Sequence, residues 1–360
     1  MSDISLCMIV KNEEKVLSRC LESVKDAVDE IIIVDTGSTD KTKKIALDYT
    51  KKVYDFEWID DFSAARNYSF SKATKDYILW LDADDIITAE NSAKLIELKG
   101  NLNNTDAVMM KYNTAFDEDG KPTFSFYRER LIKRTAPHSW KGKVHEVIVY
   151  SGTTIYSDIA VDHKSVKKIY STRNLDIYEK QLSSGEKLNS RDKFYFGREL
   201  YYHKKYNRAI EILTDFLEDS TGWIENKIEA CRILSYCCSE TENTDKALRV
   251  LFSSFIYDSP RAEICCDIGN LFMKSENYSN AIYWFETALN ISPKQDNGSF
   301  IDLDAYGYLP CIQLCVCYDK LKNHTKAEEY NNEAGKFRPN SPSYLQNLKY
   351  FEALHKNSIF

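Results

Sequence analysis

Hydrophobic and polar positions follow two different rhythms along this chain, and the change falls near its middle. In the first half, short apolar runs are separated by amphipathic stretches. Leu6–Val10 is one such run; Asn12 and the pair Glu13–Glu14 follow it, and then Val16, Leu17, Cys20, Leu21 and Val24 recur at helical spacing. Glu30–Val34 reads as a strand leading into DTGSTD. A second amphipathic helix begins near Asp40, a residue suited to cap it, and continues through Ile45. Val53–Phe56 reads as a strand, Phe62–Ala73 as a helix and Tyr77–Leu81 as a strand. Strand, helix, strand, helix, strand predicts a parallel sheet covered on both faces. Ligands of such sheets sit beyond the carboxyl ends of the strands. Ala107–Tyr112, Ser125–Lys133 and Val144–Val149 read as later strands.

From about Asn174 the strand signal fades and small residues recur instead. Gly197 is followed by Ala209 at +12. Gly269 is followed by Ala281 at +12, Ala288 at +19 and Pro293 at +24, and Cys315 by Ala327, Ala334 and Pro339 at the same three offsets. Ser235 and Ala247 form a weaker copy 34 residues before Gly269 and Ala281. Small side chains at such places let the two helices of a hairpin approach closely, and the proline ends the second. The pattern matches the period of tetratricopeptide repeats, about 34 residues. The intervals are 38, 34 and 46 residues, the last containing the insertion KQDNGSFIDLD. Four helical hairpins are predicted, the first two degenerate. Such stacks build a concave binding face or an assembly surface.

Length and charge narrow the picture only a little. The chain has 360 residues, enough for two domains. Its formal charge is −7, which argues against a general nucleic-acid binder. No apolar run reaches the roughly 18 residues of a membrane span, and the start MSDISLCMIVKNEE lacks the layout of a signal peptide. Of ten cysteines, eight lie after residue 230; Cys315 and Cys317 form a CxC without a second pair at zinc-site spacing. Buried reduced thiols and a cytoplasmic location are expected.

The polar residues of interest fall where strands end. Asp35 and Asp40 bracket a turn of Gly37, Ser38 and Thr39 that has neither a dinucleotide fingerprint nor a P-loop. Asp35 is not needed for that turn, and its carboxylate is suited to a base or ribose. In YILWLDADDII the run Tyr77–Leu81 is driven into a core and three carboxylates stand at its mouth. Asp82 and Asp84 point the same way in extended backbone. Separated by a small residue, they suit Mg²⁺ or Mn²⁺ with positions left for phosphate oxygens; the alternative is a solvated acidic turn. Asp85 is suited to cap a following helix. Arg66 is placed either to pair with a diphosphate or in a surface salt bridge. His163 is a candidate third metal ligand or an ordinary polar histidine. Glu146, beside His145, is either a general base or a salt-bridging surface residue.

Taken in order, MIVKNEEKVLSRCLESV, DEIIIVDTGSTDKT, WIDDFSAARNYSF, YILWLDADD, KGKVHE and DHKS resemble a family 2 glycosyltransferase of the GT-A fold, across residues 4–165. With its C-terminal repeats the chain is similar to bacterial peptide S-glycosyltransferases, and in its first half to lipopolysaccharide-core glucosyltransferases. The resemblance implies an α/β GT-A nucleotide-diphospho-sugar transferase domain over 1–173 and an all-α tetratricopeptide-like domain over 174–360. It implies that Asn12, Glu13 and Asp35 line the nucleotide pocket, that Asp40 is structural or touches the nucleotide, and that Arg66 holds the nucleotide or its phosphates. Asp82 and Asp84 become the metal motif, with Asp84 a direct ligand and Asp82 on ribose or bound through water, while His163 closes the donor site. His145 and Glu146 fall near the acceptor.

The activity so implied is inverting, metal-assisted transfer from a nucleotide-sugar, UDP-linked glucose or N-acetylglucosamine, to a peptide or protein side chain. Glycan extension for a polysaccharide or lipopolysaccharide core is the second enzymatic expectation, and a non-catalytic repeat scaffold the third. The repeat half is expected to recruit or position the acceptor or to form a homodimer. Aromatics such as Tyr195, Tyr201, Tyr202, Trp223, Tyr278, Trp284 and Phe285 are expected mainly to pack between its helices.

Overall fold

The apolar runs of the first half become the strands of a mixed sheet in the computed structural model, which describes residues 1–102, 104–166, 171–293 and 299–357. Contacts divide the chain into two units, Met1–Thr114 with Phe126–Leu188, and Ala115–Ser125 with Asn189–Phe360.

In the first unit the elements run β1 (Ile4–Val10), α1 (Leu17–Val24), β2 (Glu30–Asp35), α2 (Thr42–Tyr49), β3 (Val53–Asp55), α3 (Phe62–Phe70), β4 (Tyr77–Trp80), β5 (Asp85–Ile86), α4 (Ala89–Lys99), β6 (Ala107–Phe116), β7 (Pro122–Lys133), β8 (His138–Lys141), β9 (Val147–Tyr150), β10 (Thr154–His163) and α5 (Arg173–Ser183). The strand order is β3-β2-β1-β4-β7-β6-β10-β5, with β8 and β9 as a separate antiparallel pair. The first four strands of that order are parallel, as expected. The sheet as a whole is not: β7 joins β4 antiparallel, with Leu79 opposite Leu131.

Alternation along β1 explains how both faces are covered. Ile4, Leu6, Met8 and Val10 share one core with Leu17 and Leu21 of α1 and Leu95 of α4. Cys7 points the other way, into a cluster with Ile32, Ile78, Trp80, Phe70 of α3 and Trp140 of β8. Helix α3 ends at Phe70 rather than at Ala73, and β9 begins at Val147 rather than Val144. Strand β10 escapes sequence reading because its register with β6 shifts between Tyr156 and Ala160, which breaks the alternation.

The second unit contains α6 (Ser190–Tyr202), α7 (Tyr206–Glu218), α8 (Ile224–Glu240), α9 (Thr244–Ser253), α10 (Ala262–Lys274), α11 (Tyr278–Leu289), a two-residue strand β11 (Ile301–Asp302), α12 (Tyr308–Lys320), α13 (His324–Phe337) and α14 (Pro342–Asn357). Four hairpins, α6–α7, α8–α9, α10–α11 and α12–α13, are built as the small-residue pattern predicts. Gly197, Ala209, Ala247, Ala281 and Ala327 are all buried, and Gly269 faces the Phe285 ring. Each hairpin turns through one left-handed residue, at Lys204, Glu242, Glu276 and Lys322. The next residue's N–H closes back on the first helix, at Leu200, Cys238, Phe272 and Tyr318 respectively. Asn243, Asn277 and Asn323 then cap the second helices. Residues 294–298 of the insertion lie outside the described residues; beyond them β11 pairs with Phe124 and Ser125. All ten cysteines are buried and free. Among the described residues no helix is long and apolar enough to cross a membrane.

Candidate active site

Strands β1, β2 and β4 end side by side, and the loops that leave them hold most of the polar residues singled out by sequence. Asn12 follows β1 in the left-handed region at φ 56°. Its Oδ1 accepts the Thr39 N–H at 2.8 Å, and its own N–H donates to the Ser38 hydroxyl at 3.0 Å. The Glu13 N–H donates to Thr42 Oγ1, and the Glu14 N–H to Asp40 Oδ2. The loops after β1 and β2 are therefore sewn together. Asp40 Oδ1 also accepts from the Thr42 N–H and hydroxyl, so it secures the start of α2 although Lys41 is the boundary residue. Its carboxyl is held below the ordinary value: burial opposes this, and the Thr42 and Glu14 hydrogen bonds overcome it.

Asp35 ends β2 and is buried. Its Oδ1 accepts from the N–H groups of Gly37 and Ser38, both at 2.7 Å, in a turn that Gly37 permits with φ 96°. Its Oδ2 is buried without a hydrogen-bond partner. A buried carboxylate oxygen left unpaired is costly, and a ligand donor would satisfy it.

Arg66 on α3 is the bridge of a second group. Its Nη2 donates to Asp82 Oδ1 at 2.8 Å and its Nε to Glu146 Oε1 at 2.5 Å. The guanidinium lies between the rings of Trp80 and Trp140, 4.8 Å from each centroid. Burial would lower the arginine pKa, but Asp82 and Glu146 together push it up. Burial likewise opposes ionisation of Asp82, and Arg66 and Arg130 hold it well below the usual carboxylate range. Asp82 is thus an ion-pair partner of Arg66 here. His145 precedes Glu146 in the left-handed region, φ 50°.

The third group gathers Asp84, Asp85 and His163, whose ligand atoms lie within 4.8 Å of one another. His163 Nδ1 is 3.4 Å from Asp84 Oδ1 and 3.2 Å from Asp85 Oδ1. Strand β10 ends on His163 and pairs with β5 exactly there, opposite Asp85. Burial lowers the histidine pKa, but the Asp85 hydrogen bond and the charge of Asp84 outweigh it and leave the ring raised. Asp84 is raised, by burial first, with His163 acting against it. Carboxylate and imidazole donors facing one space suit Mg²⁺ or Mn²⁺.

Asp85 does not cap the next helix; Thr88 does, accepting from Asn91. Instead Asp85 is fully buried and ion-paired with Arg130, which sits on β7 and is fully buried too. Sequence reasoning missed Arg130, Tyr112 and the Trp80–Trp140 pair that encloses Arg66. No local signal marks them, because pairing of β4 with β7 alone brings residue 130 beside residue 80.

Comparison with known proteins finds matches to both parts of the chain. Residues 5–156 match the model of glycosyl transferase family 2, and residues 262–295 that of the tetratricopeptide repeat. A TPR repeat-containing protein of Synechococcus elongatus is 39% identical over 148 residues, 41% of this chain and 36% of its own length. Glycosyltransferase SunS of Bacillus subtilis is 32% identical over 251 residues, 64% of this chain and 58% of its own. The chain therefore spans less than two thirds of either relative. An uncharacterized glycosyltransferase of Rickettsia bellii is 27% identical over 225 residues, covering 59% of this chain and 73% of its own. The protein carries a family 2 glycosyltransferase domain of GT-A-like fold followed by a tetratricopeptide-like helical repeat region.

Proposed function

We propose that the protein is an inverting glycosyltransferase that moves a sugar, glucose or N-acetylglucosamine, from a UDP-sugar to a side chain of a peptide or protein. The observation that carries this reading is the grouping of Asp84 with His163 and the Arg66 bridge from Asp82 to Glu146, with Asp35 at the end of the parallel strand β2, in a family 2 domain. Similarity to glycosyltransferase SunS supports sugar transfer, and helical repeats favour a polypeptide acceptor.

In this reading Asp35 takes a nucleotide donor on its unpaired Oδ2, inside the loops that Asn12, Glu13 and Asp40 tie together. Asp84 and His163, with Asp82 beside them, would hold a divalent cation, and that cation would supply charge neutralisation for the departing diphosphate. Arg66 keeps Asp82 ionised and adds positive charge next to it. The acceptor atom attacks the anomeric carbon opposite the diphosphate, and the bond from that carbon to the diphosphate oxygen breaks with its electron pair leaving on oxygen. The acceptor's proton passes to Glu146, which Arg66 orients, with His145 alongside. A thiol acceptor needs that base less than a hydroxyl does, because it ionises near neutral pH.

The test is hydrolysis across a panel of nucleotide-sugars with Mn²⁺, comparing wild type with Asp84→Ala and with EDTA. Slow hydrolysis of one donor, lost on chelation and in the variant, is the expected result. Absence of turnover together with absence of nucleotide binding by calorimetry would sink the enzymatic reading and leave a repeat scaffold.

A further inference from the structure

Asp85 is grouped with Asp84 and His163 by distance, yet its oxygens are already used. Oδ2 accepts from Arg130 Nη1 and from the Asp82 backbone N–H, both at 3.0 Å. Oδ1 accepts from the Tyr112 hydroxyl at 3.0 Å and lies 3.2 Å from His163 Nδ1. Four partners fill the acceptor capacity of a carboxylate. The residue is 0% exposed, as is Arg130.

Arg130 is itself fixed on several sides. Besides Asp85, its Nη1 reaches the Trp80 carbonyl at 3.2 Å. The guanidinium lies 3.9 Å from the Trp80 ring and 4.3 Å from the Tyr112 ring. Its Nε and Nη2 are buried without hydrogen-bond partners, so the aromatic faces and Asp85 are what hold the charge. An ion pair kept wholly out of water is a poor source of stability, since desolvation opposes the Coulomb gain. Its geometry has a clearer use: one carboxylate ties the start of the Asp82–Asp84 turn, through the Asp82 N–H, to the imidazole of His163.

We propose that Arg130 and Asp85 form a buried positioning pair that sets His163 and the Asp82–Asp84 turn for a divalent cation, Asp85 itself not being a ligand. The proposal rests on the metal-assisted reading above. Asp85 Oδ1 accepts from the Nδ1–H of His163 at 3.2 Å, with the Tyr112 hydroxyl 2.9 Å from the same nitrogen, and with its proton kept on Nδ1 the neutral ring has its lone pair on Nε2. A carboxylate behind a ligating histidine fixes its tautomer and orientation, and removing such a partner typically costs about 10–100-fold in metal affinity.

The experiment titrates Mn²⁺ into the full chain, alone and with UDP, following free Mn²⁺ by electron paramagnetic resonance and folding by thermal melts. The variants are Asp84→Ala, Asp85→Asn, and Asp85→Asn combined with Arg130→Met, which removes both buried charges and preserves folding if the single change does not. Mn²⁺ affinity about 10–100-fold weaker in a folded Asp85 variant, against complete loss in Asp84→Ala, is the expected result. Wild-type affinity in a folded Asp85 variant would overturn the positioning role. Complete loss, equal to that in Asp84→Ala, would make Asp85 a ligand and overturn the proposal as well. Absence of Mn²⁺ uptake by the wild type, with or without UDP, would instead overturn the metal-assisted reading itself. Nitrogen-15 spectra of the wild-type imidazoles, with His163 assigned through His163→Gln, need no folded Asp85 variant. Mg²⁺ should shift Nε2 and leave Nδ1 protonated, and a shift at Nδ1 would refute the assignment.

Discussion

Arg66 Nε lies 2.5 Å from Glu146 Oε1, and the two side chains are nearly buried. The carboxylate proposed as a base is therefore held by the same guanidinium that pairs with Asp82. Orientation of the base and charge on the donor side are mechanically linked. Glu146→Gln should keep the fold and lower kcat with a hydroxyl acceptor by about 10²–10⁴-fold, the usual worth of general base catalysis. With a thiol acceptor the loss should be smaller than that of Asp84→Ala. Steady-state kinetics of both variants on serine- and cysteine-containing peptides read the difference. Equal losses on the two peptides would remove Glu146 from proton transfer.

Asp35 makes a separate prediction about the nucleotide. Asp35→Asn keeps an oxygen for the Gly37 and Ser38 N–H groups, so the turn should survive. What changes is Oδ2, the oxygen buried without a partner. Replacing an acceptor by a donor there should weaken UDP binding by about 1–3 kcal/mol, roughly 5- to 150-fold. Isothermal titration calorimetry with and without Mn²⁺ measures it. Unchanged affinity would place the nucleotide elsewhere.

Much of this site is visible in the sequence because its residues follow apolar runs. Asn12 after β1, Asp35 at the end of β2 and Asp82 after β4 are each marked by a change from buried to polar positions. The repeat half is visible because close helix approach selects small residues at fixed offsets, and Gly197, Ala281 and Ala327 are buried as that requires. What stays hidden depends on pairing between distant segments. Arg130 becomes part of the site only because β7 enters antiparallel beside β4. Asp85 resembles a helix cap in sequence, and only the burial of Arg130 shows why it faces inward. The role of Arg66 as a bridge likewise needs Glu146, 80 residues away in the chain, to arrive at its Nε.

Glu30, at the opposite end of β2, predicts a pH dependence of stability. Its carboxylate accepts from Ser5 Oγ, Lys52 Nζ, the Thr74 hydroxyl and the Thr74 N–H. Burial pushes its pKa up, but these partners prevail and bring it down from 4.5 to about 2. A pKa lower in the folded than in the unfolded state gives stability that is complete above the unfolded value. It is lost as pH falls from 4.5 through about 2. Because Lys52 is 43% exposed, the contribution is discounted for solvent screening to roughly 1–2 kcal/mol. Urea melts of wild type and Glu30→Gln should differ at pH 7 and converge towards pH 2. A gap that stays constant with pH would show that its cause is packing rather than charge.

Gly269 tests the packing logic of the repeats. A Cβ built there would stand 2.7 Å from Cε1 of Phe285, closer than real contacts allow, and Phe285 is fully buried. In an exposed helix, glycine to alanine gains up to about 1 kcal/mol from propensity. Here the methyl must displace an aromatic ring in a close-packed interior, at a cost of about 1–3 kcal/mol. Gly269→Ala should therefore lower the unfolding midpoint, and adding Phe285→Leu should restore part of the loss by making room, a coupling that a double-mutant cycle reads directly. Gly100→Ala, at the C-cap of α4, is an unhindered control, since its Cβ would meet only the Glu97 carbonyl oxygen, at 3.4 Å. Equal effects at both positions would mean that backbone propensity, and not the approach of α10 to α11, governs the choice of glycine.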